Sequence, residues 1–113
     1  MIWKFITFLV RKLEPEIAHQ ISLIALKLGF HPRLKRIEIP VKINNLHFTN
    51  FLGVAAGFDK NAQIIERIHY LNFGLTEVGT ITPLPQYGNP KPRVFRLEKD
   101  KAIINRNGFN NLG

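Results

Sequence analysis

The sequence predicts an α/β fold in which two helices precede a parallel βαβ unit. Two amphipathic segments occupy the first 30 residues, and a strand–helix–strand pattern follows between residues 52 and 79. Two parallel strands need a crossover between them, and a helix is the usual one. Hydrophobic residues make up 45% of the 113 positions and charged residues 21%, so the composition is that of a folded chain.

The first segment, residues 2–13, carries an apolar stripe at helical period, which Phe5 and Phe8 extend around the first two turns. Lys4 and Arg11 flank this surface. A short aromatic helix of this kind can lie in the membrane interface, although it is too short to span a bilayer. Docking on the protein itself is the alternative.

The second helix is marked at both ends. Pro15 suits the first turn, Glu14 and Glu16 complement the helix dipole, and Gly29 suits a left-handed end. Its apolar stripe consists of Ile17, Ile21, Ile24 and Leu28. Paired with the first helix, it predicts a V-shaped hairpin that could hold an apolar ligand, while a plain helix-pair core is the alternative.

The remaining elements are shorter. A hairpin is predicted around Asn44-Asn45, followed by a strand at 52–56, a helix at 62–72 and a strand at 75–79. After Thr80 the proline-rich sequence predicts loop. These features divide the chain into a helical extension with a basic linker, residues 1–40, and an α/β portion, residues 41–113.

Charge and composition exclude several kinds of site. The net charge of +8 is spread evenly, with +4 in residues 1–40 and +4 in residues 41–113, which argues against a nucleic-acid-binding arm and leaves affinity for anionic lipid open. The chain has no cysteine, and its four histidines lie 12, 16 and 22 residues apart. No metal site is therefore expected.

Candidate ligand-binding residues follow the two strands, because parallel α/β folds bind ligands at the carboxyl ends of their strands. Small residues and a glycine lead to Lys60 after the first strand, and Gly79 and Thr80 follow the second. Turn glycines and a solvated lysine are the simpler interpretation. The segment 105–111 adds four asparagines, whose amides suit the edge of a flat heterocycle.

Three segments identify a family resemblance: "NFLGVAAGFDKN", "EVGTITPLPQYGNPKPRVFRL" and "INRNGFNNLG". In this order they resemble class 2, quinone-dependent dihydroorotate dehydrogenases, and "LEPEIAHQI" resembles the helical extension of that family. The resemblance covers essentially the whole chain. It implies an N-terminal helix pair followed by the first βα units of a (β/α)8 TIM barrel that is incomplete in this chain.

The resemblance implies an FMN flavoprotein that oxidises dihydroorotate to orotate in pyrimidine biosynthesis and reduces ubiquinone or menaquinone. It further implies a peripheral location on the cytoplasmic side of the inner membrane, and no nucleic-acid partner. The implied FMN residues are Ala56, Gly57, Phe58, Asp59, Lys60 and Thr80. The implied substrate residues are Lys60, Asn105, Arg106, Asn107, Gly108 and Phe109. The implied quinone-tunnel residues are His19 and Arg96.

Two positions depart from the family pattern, and length is a larger departure. Phe51 stands where the family usually has proline, and Asn107 where it usually has a larger apolar or aromatic residue. A barrel of this type takes about 250 residues, and the family's catalytic serine base is expected downstream of these segments. We therefore expect no turnover from this chain alone, and a complementary chain carrying the rest of the barrel as a possible partner.

Two alternatives remain. The first is a non-catalytic remnant whose N-terminal helices associate with a membrane. The second is a small basic RNA-binding protein, suggested by the net charge and by Lys91, Arg93 and Arg96. The RNA-binding alternative is weak because these basic residues lie among prolines with few aromatic residues between them.

Overall fold

The computed structural model describes residues 2–32 and 34–113, so Met1 and Arg33 of the predicted extension lie outside the described residues. Two helices are followed by three two-stranded sheets, of which the first and third are antiparallel and the second is parallel. The elements are α1 (Ile2–Val10), α2 (Pro15–Lys27), β1 (Val41–Ile43), β2 (Leu46–Phe48), β3 (Gly53–Val54), α3 (Ile65–Ile68), a 3₁₀ turn (His69–Leu71), β4 (Leu75–Thr76), β5 (Val94–Leu97) and β6 (Ala102–Asn105). The described residues form no closed barrel, and the predicted helix pair and βαβ unit are confirmed.

Helix α2 begins and ends where its sequence signals predict. The Glu14 carboxylate accepts the backbone N–H of Ile17 at 3.0 Å, and Pro15 occupies the first turn. At the other end Gly29 has φ +85°, and the N–H of Phe30 donates to the Ala25 carbonyl at 2.8 Å. This is a Schellman ending, in which the left-handed glycine turns the chain out of the helix.

Helix α1 is shorter than predicted, because it ends at Val10 and closes in tighter turns over residues 11–13. None of its residues from Ile2 to Val10 is buried, and Ile2 and Phe5 are 68% and 62% exposed. The stripe of α2 that contains Ile17 is also exposed. Within the described residues, no helix has both the length and the apolar character needed to cross a bilayer.

Helix α2 packs on the βαβ unit through its opposite face. Leu26 of α2 is buried against Ile64 and Ile68, and Val54 and Phe58 complete this small core. The cluster joins side chains of the extension to aliphatic and aromatic side chains of β3 and of the segment that follows it. Because apolar burial is the main favourable contribution to folding, this contact fixes α2 over the carboxyl end of β3.

The βαβ unit has shorter elements than the sequence predicts. Strands β3 and β4 pair in parallel through Gly53–Leu75 and Val54–Thr76, but the predicted helix 62–72 is reduced to α3 and its 3₁₀ turn. The buried Asp59 carboxylate accepts the N–H groups of Gln63 and Ile64, both at 2.8 Å, and so holds the preceding residues in a turn. Asn72, with φ +63°, ends the 3₁₀ turn.

The prediction of loop after Thr80 is wrong, because this segment contains the β5–β6 hairpin. Its register runs from Val94–Asn105 to Leu97–Ala102. The connecting turn, residues 98–101, contains neither glycine nor asparagine and places Lys101 at φ +50°, so Asp100 is its one residue of a type that commonly marks a turn. The Arg96 guanidinium donates to the carbonyls of Leu13 and Arg11 at 2.6 and 2.9 Å and thereby ties the hairpin to the end of α1.

A buried ion pair joins α2 to the start of β5. The Arg93 Nη2 and Nε atoms lie 2.7 and 3.0 Å from Glu16 Oε1, and both residues are buried. The hydrogen bonds and charge of Arg93 lower the pKa of Glu16, although burial of the carboxyl acts in the opposite direction. This pair holds the extension in place with a geometry that a lone apolar contact does not impose.

We predict that Gly74→Ala destabilises the chain by about 1–3 kcal/mol, because overpacking a tight site forces the backbone to move. A Cβ at this position would lie 2.1 Å from the backbone oxygen of Asn50. Gly29→Ala is the control, since it adds a methyl group in open space and brings only the strain of a positive φ. Urea denaturation measures both, and a loss of less than about 1 kcal/mol in Gly74→Ala would contradict the predicted clash.

We also predict a pH-dependent cost of Glu16→Gln. A lowered folded-state pKa means that the ion pair contributes fully above about pH 4.5 and that this contribution is lost as pH falls through the folded pKa. At pH 7 the variant should be less stable by about 2 kcal/mol, and the difference from the wild type should shrink below pH 4.5. Urea midpoints across this range measure the effect, with the exposed Glu66→Gln as control; a pH-independent difference refutes the assignment.

Candidate functional site

A cavity of about 760 Å³ lies between α2, the carboxyl end of β3 and the loop that follows β6. Its wall combines side chains that are far apart in sequence. They come from α2 (Glu16, His19, Leu23), from the end of β3 (Ala55, Ala56, Gly57, Phe58, Lys60) and from the later loops (Gln86, Tyr87, Arg93, Asn107, Asn110, Asn111). The packing of α2 on the core forms one side of this space.

The chain leaves β3 through small residues, and these border the cavity with exposed backbone. Gly57 has φ +102°, and no atom lies within 4 Å of the position that a Cβ would occupy. A flat ligand can therefore approach this backbone closely. Of the predicted cofactor residues, the cavity brings together Ala56, Gly57, Phe58 and Lys60.

Two predicted cofactor residues lie elsewhere. Asp59 is 1% exposed and uses both carboxylate oxygens to accept the N–H groups that precede α3. Thr80 is exposed and is not part of the cavity wall. Their direct contact with a cofactor stays a prediction, whereas the structural role of Asp59 in shaping the turn after Lys60 is evident from its hydrogen bonds.

Lys60 connects the end of β3 to the asparagine-rich loop. Its Nζ donates to Asn110 Oδ1, which lies 50 residues further along the chain. Burial lowers the pKa of the Lys60 ammonium, the charge of Arg93 adds to this effect, and Glu16 opposes it. A partly desolvated ammonium in a cavity interacts strongly with negative charge, because the surroundings screen it less than water does.

Asn111 fixes the loop against the β3 end. Its Nδ2 donates to the Lys60 carbonyl at 2.7 Å and to Asn61 Oδ1 at 2.9 Å, and its Oδ1 accepts the N–H of Thr82 at 3.3 Å. Its backbone also exchanges two hydrogen bonds with Gln86, at 2.9 and 3.0 Å. With 6% of its surface exposed, Asn111 works as a cross-link between three chain segments.

The predicted substrate residues are distributed unevenly. Asn107 lines the cavity, whereas Asn105 is exposed at the end of β6 and Phe109 is 66% exposed. The Arg106 guanidinium donates to the Pro92 carbonyl, at 3.1 Å from Nη2. Gly108 packs against the backbone of Gly88, 3.3 Å from its would-be Cβ. The amides of the asparagine-rich loop that line the cavity are therefore those of Asn107, Asn110 and Asn111, and the roles of the other residues stay predictions.

The two predicted quinone residues do not share this cavity. His19 lines it, with Nε2 at 2.6 Å from the Phe58 carbonyl and its ring edge-on to the Phe58 ring at 5.4 Å. Arg96 instead uses its guanidinium on the carbonyls that follow α1. The quinone roles of both stay predictions.

Sequence reasoning alone misses the cavity roles of Glu16, Arg93, Gln86 and Tyr87. In the sequence, Glu16 stands out only as a charge that complements the helix dipole, and Arg93 only as one of several basic residues among prolines. Their signal is a complementary pair separated by 77 positions, which a single sequence does not reveal. Among the described residues, no group of three or more His, Asp or Glu side chains is arranged to hold a metal ion.

The chain is similar to known proteins over most of its length. The family profile described as dihydroorotate dehydrogenase matches residues 38–113. A dihydroorotate dehydrogenase (quinone) from Bartonella tribocorum is 54% identical over 103 residues, which cover 89% of this chain and 29% of that protein. The relative from Erythrobacter litoralis, which has the same name, is 49% identical over 115 aligned positions, covering 100% of this chain and 34% of that protein.

Solved structures show the same relationship. The crystal structure of dihydroorotate dehydrogenase from Eimeria tenella in complex with ferulenol superposes with a TM-score of 0.82 at 49% identity, covering 88% of this chain and 27% of that one. The ligand-free structure from the same organism gives the same TM-score. This chain thus spans about a third or less of the length of the relatives it matches. By the family profile, the identities and the shared fold, the chain belongs to the dihydroorotate dehydrogenase family.

Proposed function

We propose that this chain forms one wall of the FMN and substrate site of a quinone-dependent dihydroorotate dehydrogenase. Since the chain spans about 30% of its relatives, oxidation of dihydroorotate to orotate is assigned to the protein that contains the remaining strands, in one polypeptide or through a complementary chain. The observation that carries the proposal is the hydrogen bond between Lys60 and Asn110, which joins the carboxyl end of β3 to the asparagine-rich loop across the cavity.

The residues of the cavity fit the ring of a flavin. The open backbone at Gly57 leaves room for a planar ring, and Ala56 beside it adds no bulk. Lys60 supplies a partly desolvated ammonium, and the amides of Asn107 and Gln86 supply donors and acceptors around it. Ala56, Gly57, Phe58 and Lys60 would hold the cofactor, and Asp59 would act by shaping their turn.

FMN, when bound, supplies hydride chemistry and passes electrons to a quinone. The protein residues contribute binding, orientation and charge. The Lys60 ammonium stabilises negative charge on a ligand in the cavity, and its own orientation is set by Asn110. The amides of Asn107 and Asn110 present both donors and acceptors, which match the alternating N–H and C=O groups of dihydroorotate.

The helical extension supports the quinone and membrane part of the proposal. The surface of α1 exposes Phe5, Phe8 and Leu9 by 62%, 57% and 49%, and Lys4 and Lys12 lie among them. This pattern suits a helix lying in the membrane interface. We assign to it a peripheral location on the cytoplasmic side of the inner membrane, from which ubiquinone or menaquinone reaches the region of His19.

We predict that Lys60→Met weakens FMN binding at least tenfold, because the variant removes the ammonium from the cavity wall. Lys42→Met is the matched control, since it makes the same change at an exposed position of β1. Quenching of flavin fluorescence in a titration of the purified protein measures the affinity. Equal FMN affinity in the two variants would contradict the placement of the flavin beside Lys60. Absence of flavin binding in the wild type, even together with the remaining strands of the barrel, would favour the non-catalytic remnant.

We further predict that the double substitution Phe5→Ser and Phe8→Ser reduces binding to anionic phosphatidylglycerol vesicles at least tenfold, since burying each aromatic side chain contributes about 2 kcal/mol. Trp3, the single tryptophan, reports the transfer of α1 from water to lipid by a blue shift of its fluorescence. Phe51→Ser, at a position 63% exposed, is the control. Unchanged binding of the double variant would exclude α1 as the membrane contact.

A further inference from the structure

The Arg93 guanidinium is shared between the helical extension and the loops of the site. On one side Nε and Nη2 donate to Glu16 Oε1, at 3.0 and 2.7 Å. On the other side Nη1 donates to the carbonyls of Tyr87 and Asn89, at 2.5 and 3.1 Å. The Arg93 side chain therefore fixes the position of the 86–89 loop relative to α2. It can do so because its planar guanidinium directs donors toward both segments.

The 86–89 loop passes this constraint to the loop that follows β6. The N–H of Asn89 donates to the Asn107 carbonyl at 3.0 Å, and Asn89 Nδ2 donates to the Arg106 carbonyl at 2.7 Å. The N–H of Arg106 donates to the carbonyl of Arg93 itself at 2.8 Å. The backbone that carries Asn107 into the cavity is thus fixed through Arg93.

Glu16 holds Arg93 in this position. The side chains of Glu16 and Arg93 are 11% and 8% exposed, so water does not readily replace either partner. Lys91 approaches the same oxygen atom from a more exposed position, 3.8 Å away. Without the Glu16 carboxylate, the buried Arg93 guanidinium would lose its charged acceptor, and the Arg93 side chain would have to move to reach another one.

We propose that Glu16, which lies on α2 of the helical extension, is a positioning residue. Through its hydrogen bonds to Arg93, it sets the orientation of the asparagine-rich segment 105–111. The proposal rests on the proposed function for its consequence, namely that Glu16 controls affinity for the substrate analogue orotate and leaves the flavin-binding wall after β3 unchanged. Helix α2 then both borders the cavity and determines how tightly the substrate is held.

The first test is hydrogen–deuterium exchange of the purified chain without any ligand. Glu16→Gln should raise the exchange rates of the Asn89 and Arg106 amides at least tenfold more than those of the Ile68 and Glu77 amides, which report α3 and the β3–β4 pair and follow the loss of overall stability. Glu66→Gln is the matched control and should alter neither set. A uniform rise in all four amides would mean that Glu16 acts only on overall stability, and this overturns the proposal.

A double-mutant cycle tests whether Glu16 acts through Arg93. In an Arg93→Met background, Glu16→Gln should produce no further change in the exchange of Asn89 and Arg106. Additive effects would refute the route through Arg93. Arg93→Gln replaces Arg93→Met if the latter does not fold, because glutamine keeps a polar side chain but removes the charge and the fork that pair with Glu16.

The second test separates this proposal from the proposed function. With flavin bound, Glu16→Gln should raise the Kd for orotate, read from the flavin absorbance, by a factor at least five times larger than the factor by which it raises the Kd for FMN. Equal losses for both ligands would overturn the positioning role. If the wild type binds no flavin even together with the remaining strands of the barrel, the proposed function fails, and the exchange experiment alone decides whether Glu16 positions the loop.

Discussion

The site depends on one buried side-chain amide, that of Asn111. A parallel strand pair as short as β3–β4 does not by itself fix the loops beyond it, since each strand contributes only two residues. Asn111 supplies the missing constraint, because both ends of its amide are hydrogen-bonded and the partners belong to two segments other than its own, residues 60–61 and Thr82. An amide suits this position because it donates and accepts without a charge that burial would penalise. The cavity therefore takes its shape from hydrogen bonding more than from the small apolar core.

Local sequence signals predict the elements whose ends are chemically marked. Pro15 and Gly29 delimit α2, and Asn44 adopts φ 53° at the turn of the first hairpin, as its residue type favours. The second hairpin escapes prediction because its turn places a lysine, Lys101, in the left-handed region. The length of α3 is overestimated because its apolar periodicity continues through residues that the Asp59 carboxylate holds in a turn.

The site can be predicted only as far as its motifs are contiguous. Lys60 and Asn107 belong to two motifs that the family resemblance identifies, and the cavity contains both. The resemblance does not indicate that the Arg106 guanidinium donates a hydrogen bond to the Pro92 carbonyl, since that contact follows from how the hairpin folds back on the proline-rich segment. Glu16 and Arg93 are not predicted as a pair, because hydrogen-bonding partners that are distant in sequence produce no local periodicity or motif in a single sequence.

The spacing of these partners also orders the events of biosynthesis. Arg93 follows Glu16 by 77 positions, and Arg96 follows Arg11 by 85, so α2 and the end of α1 leave the ribosome long before their partners exist. At about 5–20 residues per second, the delay amounts to about 4–17 s. Helices form in microseconds or less. During this interval α1 and α2 can therefore become helical, but the β5–β6 hairpin to which they bind has not yet been synthesised. Their apolar faces are then available to whatever surface is nearby, and closing such long loops makes docking of the extension a late event in folding.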